Sequence, residues 1–407
     1  MTKFNHTVLS AKKSVLATAL LAIFSLPTVA APDNSTDTYT TKSGAQVTPS
    51  LSIDAKYDDN IYNQTNNETS SAVLIVAPAV NFTIDNGINT LSFDVGLNSG
   101  TYAENSDDNY VDGNLGVAVH IETGKSHRFD FTTSIASISE QRGSGLSEGA
   151  FDPNADLIRY SDLLLTATYE YGMRSTQARI AFTTEAGTTD YSNNNVFATA
   201  DSNVSNNLLG TTFYYNTNAF TEVSLTLNGD YIRYDTASLK DSDVYNALLG
   251  LKWQSSSVIT LDGKLGFEFK QFENTAVDDF DGLTWDIGAK WQPLRYTSFY
   301  LSTTQASQDP DSADGSYLVE RDVDLSWVHA WSSKVDTSLA VTYQQDEYEN
   351  EANNRLDEYL KYTAAVDYSL TQWLDASLYA EMINNDSNQQ NISYDKFVAG
   401  LNLTFTL

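Results

Sequence analysis

The chain has 407 residues, with 53 Asp and Glu against 23 Lys and Arg, four histidines and no cysteine. A formal charge of −30 excludes the basic footprint of a nucleic-acid binder, so no nucleic-acid partner is expected. The absence of cysteine excludes disulfides and thiol chemistry, and so few histidines leave little for zinc or a Ser–His nucleophile.

Lys3, Lys12 and Lys13 form a positive region ahead of a short apolar core at 15–26, which Pro27 breaks. Small residues follow, so 1–30 reads as a secretory signal peptide cleaved after Ala30, with Ala31 as the alternative. The apolar core is too short for a retained membrane helix. Its removal takes three lysines and no acid, which makes the mature chain more acidic still. Residues 31–46, rich in Thr, Ser, Asp and Asn, read as a short periplasmic lead-in without structure of its own.

From 47 to 407 the chain alternates apolar and polar residues in segments of about ten, each closed by turn residues. Leu261, Leu265, Phe267 and Phe269 share one parity, and Asp262, Lys264 and Glu268 the other. The last segment repeats this, with Phe397, Leu401, Leu403, Phe405 and Leu407 on one side. Predicted strands fall at 47–57, 72–84, 90–103, 110–121, 127–139 and 158–171. They continue at 176–189, 204–215, 221–234, 243–254, 258–272 and 280–291. The last are 296–307, 317–330, 334–348, 356–368, 373–384 and 392–407. Length alone allows two or three soluble domains. No linker or change of composition interrupts the pattern, however, and no helical stretch separates the strands. The expected fold is all-β, a closed antiparallel transmembrane β-barrel over 47–407 with about 18 strands, 16 being the alternative.

Connections alternate in length. Tight turns are expected at 85–87, 123–125, 172–174, 216–218, 255–257, 293–295, 331–333 and 370–372. Longer, Asp- and Asn-rich connections fall at 58–71, 104–109, 140–157, 190–203, 235–242, 273–279, 308–316, 349–355 and 385–391. In barrels of Gram-negative outer membranes, short turns face the periplasm and long loops face outward, which would leave both termini periplasmic. Trp253, Trp291, Trp331 and Trp373 each lie near a tight turn and read as a periplasmic aromatic girdle. Tyr57, Tyr62, Tyr102, Tyr234, Phe272 and Tyr348 lie near the other strand ends. The 140–157 loop carries Arg142, Gly143, Gly145 and Gly149, and two placements are open: folded inward to constrict a channel, or exposed on the surface. The run from Asp309 to Gly315 lacks the spacing of a calcium loop and reads as a solvated loop.

The polar parity is the predicted lumen. Its lining comprises Asp94, Arg128, Asp130, Glu170, Arg179, Glu185, Asp230, Lys252, Asp262, Lys264, Glu268, Asp286 and Lys290 in the first two-thirds of the chain. Glu320, Asp322, Asp324, Asp336, Asp367, Asp375 and Glu381 complete it. Gly96, Gly116, Gly210, Gly250, Gly266, Gly288 and Gly400 share that face and would leave room for solvent. A barrel of this size leaves an aqueous channel, and an excess of acids would disfavour anions in it. His120, His127 and His329 show no metal or nucleophile spacing, so neither catalytic residues, a metal nor a cofactor is expected.

The opening hairpin, Ser52-Ile53-Asp54-Ala55-Lys56-Tyr57-Asp58-Asp59-Asn60-Ile61-Tyr62 followed by Leu74-Ile75-Val76-Ala77-Pro78-Ala79-Val80, carries a resemblance. It resembles outer-membrane β-barrels of the porin type encoded with exopolysaccharide or capsule synthesis genes. The resemblance implies a channel component for exopolysaccharide or capsular polysaccharide export. It also implies as partners the polymer and a periplasmic polysaccharide export protein, and it brings no catalytic residues. A barrel of this kind also meets outer-membrane lipid, lipopolysaccharide and the outer-membrane assembly machinery. The alternative is a diffusion porin for small neutral or cationic solutes, and an outer-membrane enzyme is the third, weakest reading.

Overall fold

The computed structural model describes residues 39–407 except 43, 151, 153–154, 193–198, 255, 257, 311–314 and 350–353. The signal peptide, its cleavage at Ala30 or Ala31, and most of the lead-in lie outside the described residues. A two-residue strand, β1 (Tyr39–Thr40), folds back on the first barrel strand.

The barrel strands are β2 (Gln46–Asp58), β3 (Ser71–Asp85), β4 (Thr90–Tyr102), β5 (Tyr110–Thr123), β6 (His127–Ser139) and β7 (Arg159–Tyr171). Next come β8 (Ala178–Tyr191), β9 (Val204–Asn218), β10 (Thr221–Tyr234), β11 (Ser242–Trp253), β12 (Ile259–Phe272) and β13 (Phe280–Leu294). The last are β14 (Thr297–Gln308), β15 (Tyr317–Ala330), β16 (Val335–Glu349), β17 (Leu356–Ser369), β18 (Leu374–Ser387) and β19 (Tyr394–Thr406). Each pairs antiparallel with its neighbours in sequence, and β19 pairs with β2 from Val398 opposite Asp58 to Thr406 opposite Ser50. The sheet therefore closes on itself as an 18-stranded antiparallel barrel. Among the described residues the short 3-10 turns Ser106–Asp108, Gly145–Ser147, Thr199–Ser202 and Ser238–Lys240 all lie in long loops. Among the described residues no helix is long and apolar enough to cross a membrane.

The alternating sequence dictates which face is which. Val95 and Leu97 on β4, Leu225 and Leu227 on β10, Leu249 on β11, Phe267 on β12, Leu325 on β15 and Leu378 on β18 are all exposed, on the convex side. A soluble fold would bury such residues; here the apolar band is the outer surface. Polar neighbours on the same strands point into the barrel.

Two tight connections sit later than their sequence suggests. β9 runs on to Asn218 and β13 to Leu294, so the turns fall at 219–220 and 295–296 rather than 216–218 and 293–295. In both hairpins the register shifts, between Thr221 and Glu222 and between Trp291 and Leu294. A bulge takes up the extra residue, which alternation alone does not reveal.

Leu249 is 69% exposed in the middle of the outer band, so Leu249→Arg should cost about 2–4 kcal/mol of barrel stability. Urea titration of folding into phospholipid vesicles measures it.

Candidate functional site

The described residues of the loop between β6 and β7 fold inward across the mouth. Its Gln141 side chain donates to the Ile61 carbonyl at 2.7 Å, and Asn63 donates to the Gly143 carbonyl at 3.4 Å. Arg142, buried, meets Asp108 at 2.7 Å, and the Tyr62 hydroxyl donates to the same carboxylate at 2.5 Å. Burial, and then Asp108, push the Tyr62 pKa up, so this hydroxyl stays a donor. Gly143 has φ +77°, and a Cβ there would stand 1.8 Å from the Tyr62 carbonyl oxygen, so the close crossing needs glycine. Gly149, at φ +65°, packs against Ile392 and Asn391 of the β18–β19 loop.

The far end of this strap is an ion pair. Arg355, at the start of β17, is 0% exposed and donates to Glu148 and to Asp357, both at 2.5 Å. Its guanidinium lies 4.2 Å from the Tyr348 ring centroid. Burial opposes the Arg355 charge, but the Asp357 hydrogen bond and Glu148 outweigh it and raise the pKa. Counted through the β19–β2 seam, β6, β5, β4, β3, β2, β19, β18 and β17 separate the two loops, one strand short of diametric opposition. The strap thus ties nearly opposite sides of the ring.

A second loop turns in from the other side. Asp309, expected in a solvated loop, is 7% exposed and pairs with Lys270 of β12. It also accepts the Tyr234 hydroxyl of β10 at 2.7 Å. Residues 311–314 of this run lie outside the described residues. Parity gives the side taken by the aromatics at this end: Tyr62, Tyr234, Phe272 and Tyr348 are buried inside the mouth, and only Tyr57 of that group is exposed. Even positions on β10, β12 and β16 face inward, so those aromatics hold loops, not lipid.

The register sets the predicted lumen residues on the parity opposite the exposed apolar side chains. Asp94 accepts from Asn81 at 2.6 Å, and Asp130 meets His120 at 2.6 Å. Arg128, Glu170 and Arg179 form one network near the short turns: Arg128 donates to Glu170, and Arg179 lies 3.1 Å from it while also binding Glu222. Lys252 pairs with Asp262 at 3.7 Å, Lys264 stands opposite Asp286, and Lys290 lies over the Tyr300 ring. Glu268 accepts the Ser307 amide at 2.8 Å. Glu185 and Asp230 share one row, both opposite Leu208. Glu320, Asp322 and Asp324 alternate along β15, and Asp336 stands directly opposite Asp367. Glu381 accepts from Lys361 at 2.7 Å, and Asp375 stands opposite Ser369 and Thr404.

Sequence reading overlooked Asp54, Asp112, Glu222 and Asp346, which the same parity rule would have found. It had no signal for Arg355, whose partner Glu148 lies 207 residues away. Three of the glycines also differ from expectation. The Tyr379 ring lies over Gly400, Asn114 over Gly96 and Ser224 over Gly250, so neighbouring side chains rather than solvent take that space. Trp253, Trp291, Trp331 and Trp373 are all exposed at the short-turn end, Trp291 stacked on Phe299 and Trp373 on Phe405. Among the described residues no group of three or more His, Asp or Glu side chains could hold a metal ion.

Breaking one partner of a buried ion pair costs about 3–5 kcal/mol, enough to free the far end of the strap while the Arg142–Asp108 pair still holds its near end. Arg355→Met should therefore raise single-channel conductance and its noise, and Gly143→Ala should do the same from the strap's near end. Planar-bilayer recording checks both.

No curated protein matches the chain. Among solved structures, Pseudomonas aeruginosa OccK2 (OpdF) is 9% identical over 90% of this chain and 98% of its own, with a TM-score of 0.48. Acinetobacter baumannii OccAB4 is 9% identical over 92% and 100%, with a TM-score of 0.47. The outer membrane protein opdK from Pseudomonas aeruginosa is 12% identical over 89% and 98%, with a TM-score of 0.48. The family described as "Putative beta-barrel porin 2" matches residues 45–407, every barrel strand included. The chain belongs to that family and is an outer-membrane β-barrel porin.

Proposed function

We propose that the barrel is a diffusion channel for small neutral or cationic solutes. The observation that carries this is the acidic inner wall of β15–β18 beneath a narrowed mouth. Asp322 takes its hydrogen bond from Thr304 and Asp324 from Thr342, neutral donors that bring no base to either carboxylate. Asp336 and Asp367 face each other as like charges, a pairing that costs stability unless a cation sits nearby. Lys361 on Glu381 and Arg355 on Asp357 supply the bases of this wall. In a channel walled by low-dielectric protein and lipid, such an excess concentrates cations and repels anions.

The export role implied by the opening hairpin fits this mouth less well. A polymer strand would have to pass beside a strap tied across it by a fully buried arginine. In this reading the long loops face outward, the tryptophans mark the periplasmic interface and both termini are periplasmic. Lipopolysaccharide surrounds the outer rim, and the assembly machinery reads the terminal strand.

Purified protein in planar bilayers under a KCl gradient should give a reversal potential favouring potassium. Liposome swelling should admit sugars and small amines, with anions of equal size slower by roughly ten-fold, the low end of electrostatic steering. Anion selectivity, or a wild-type barrel that conducts nothing, would sink the proposal. A deletion strain that loses surface polymer while keeping solute uptake would return the export reading.

A further inference from the structure

Five tyrosines stand on the inner wall of one arc: Tyr359 on β17, Tyr379 on β18, Tyr394 on β19, Tyr102 on β4 and Tyr110 on β5. Each has the parity opposite to the exposed apolar residues of its strand, as Tyr379 has to Leu378 and Tyr110 to Val111. All five are half-buried. The hydroxyls of Tyr102, Tyr110, Tyr359 and Tyr394 have no hydrogen-bond partner among the described residues. Two of the rings cross to the next strand over a glycine. A Cβ built on Gly400 would stand 2.6–2.7 Å from Tyr379, and one on Gly100 2.2–2.9 Å from Tyr110. Each of these rings therefore has the wall on one side and the channel on the other. The Tyr379 hydroxyl donates to Asp54 of β2 at 2.8 Å, which fixes its ring in that position. Tyr110 opens β5 at the mouth, whereas Tyr379 lies eight residues below Ser387, the mouth end of β18. The rings thus step down into the channel. The two glycines beneath them lie three strands apart, about 14 Å across the sheet.

A tyrosine ring offers a rigid apolar face with a polar rim, at little cost in conformational entropy. A sugar ring carries the matching pair of surfaces, a face of C–H groups and an edge of hydroxyls. Carboxylates only accept hydrogen bonds, and sugar hydroxyls are donors for them. The acids beside the rings, unlike Asp322 and Asp324, have bases at hand. Glu381 pairs with Lys361 at 2.7 Å and Asp58 with Lys396 at 3.4 Å, and Lys56 shares the inner side of β2 with Asp54. This arc therefore favours a neutral solute over a cation. A plain aromatic solute would stack on the rings but give the acceptors nothing. The 14 Å step is longer than one sugar ring and suits a short chain of them.

We propose that the inner arc from Tyr110 to Tyr379 is a binding track for a short neutral oligosaccharide. Sugar rings stack on Tyr110 and Tyr379, and their hydroxyls donate to Asp54 and Glu381. The track rests on the channel reading above and names carbohydrate as its neutral solute.

Isothermal titration of maltotriose, cellotriose and glucose into the full barrel tests this. The barrel is held in lauryldimethylamine oxide, a detergent without a sugar headgroup, and folding is checked by heat-modifiable gel mobility. Wild type should bind one or both trisaccharides saturably and glucose at least about ten-fold more weakly. Tyr379→Ala and Tyr110→Ala should each weaken trisaccharide binding by about ten-fold or more, and Gly400→Ala should do so by displacing the Tyr379 ring. Tyr379→Phe keeps the ring and should retain most of the affinity, and the convex-face variant Tyr245→Ala should bind as wild type does. Three results would overturn the proposal: no saturable trisaccharide binding, affinity unchanged by the alanine variants, or tetramethylammonium held more tightly than either trisaccharide. Should Tyr379→Ala not fold, Tyr110→Ala and Gly400→Ala carry the comparison. A barrel that conducts but does not bind sugar removes the track and leaves the channel, whereas one that binds but does not conduct does the reverse.

Discussion

Every feature of this molecule depends on the β19–β2 ladder. In hydrocarbon an unpaired backbone amide or carbonyl has no water to turn to, and each costs several kcal/mol. An open sheet of this length would expose two such edges along its whole height. The pairing from Asp58 with Val398 to Ser50 with Thr406 removes both at once. Once the ring is closed, alternate side chains have only two destinations, and the sequence is free to place oil on one and charge on the other.

The inner face uses that freedom unevenly. Around β6–β10 arginines and glutamates neutralise one another, as Arg179 does between Glu170 and Glu222. Around β15–β18 the acids rest on threonine and glutamine. At the mouth the chemistry changes again, because Arg142, Lys270 and Arg355 are buried and each is matched by a carboxylate from a different strand or loop. Buried pairs of this kind add little net stability but penalise any arrangement that separates them. They suit a loop that has to occupy one position over a wide opening.

The wall was legible in the sequence because its information is local. Period-two alternation places Leu265 outside and Lys264 inside without knowledge of any other strand, and all barrel strands lie within about three residues of their expected bounds. What alternation cannot supply is contact between distant segments. Nothing near Glu148 announces Arg355, and nothing near Asp309 announces Tyr234 or Lys270, so local pattern leaves the strap's placement open and gives no sign of the second inward loop. Nearness to a strand end puts Tyr234 and Tyr348 at the mouth without giving their side; counting parity from the adjacent apolar residues turns them inward. At Gly96, Gly250 and Gly400 alternation shows an empty Cβ but not the neighbouring amide, hydroxyl or ring that fills it.

The seam also separates this chain's contacts into two classes. Nearly every other ladder joins strands that are adjacent in sequence, so those hairpins can zip as soon as each pair exists. The last ladder unites segments more than three hundred residues apart, with the Leu407 amide itself bonded to the Pro49 carbonyl. Its loop-closure entropy is offset only when everything between is already in place. Assembly is therefore committed late: until the final strand arrives, the nascent sheet is a sticky ribbon with both edges open, and shielding those edges becomes the task of whatever escorts it.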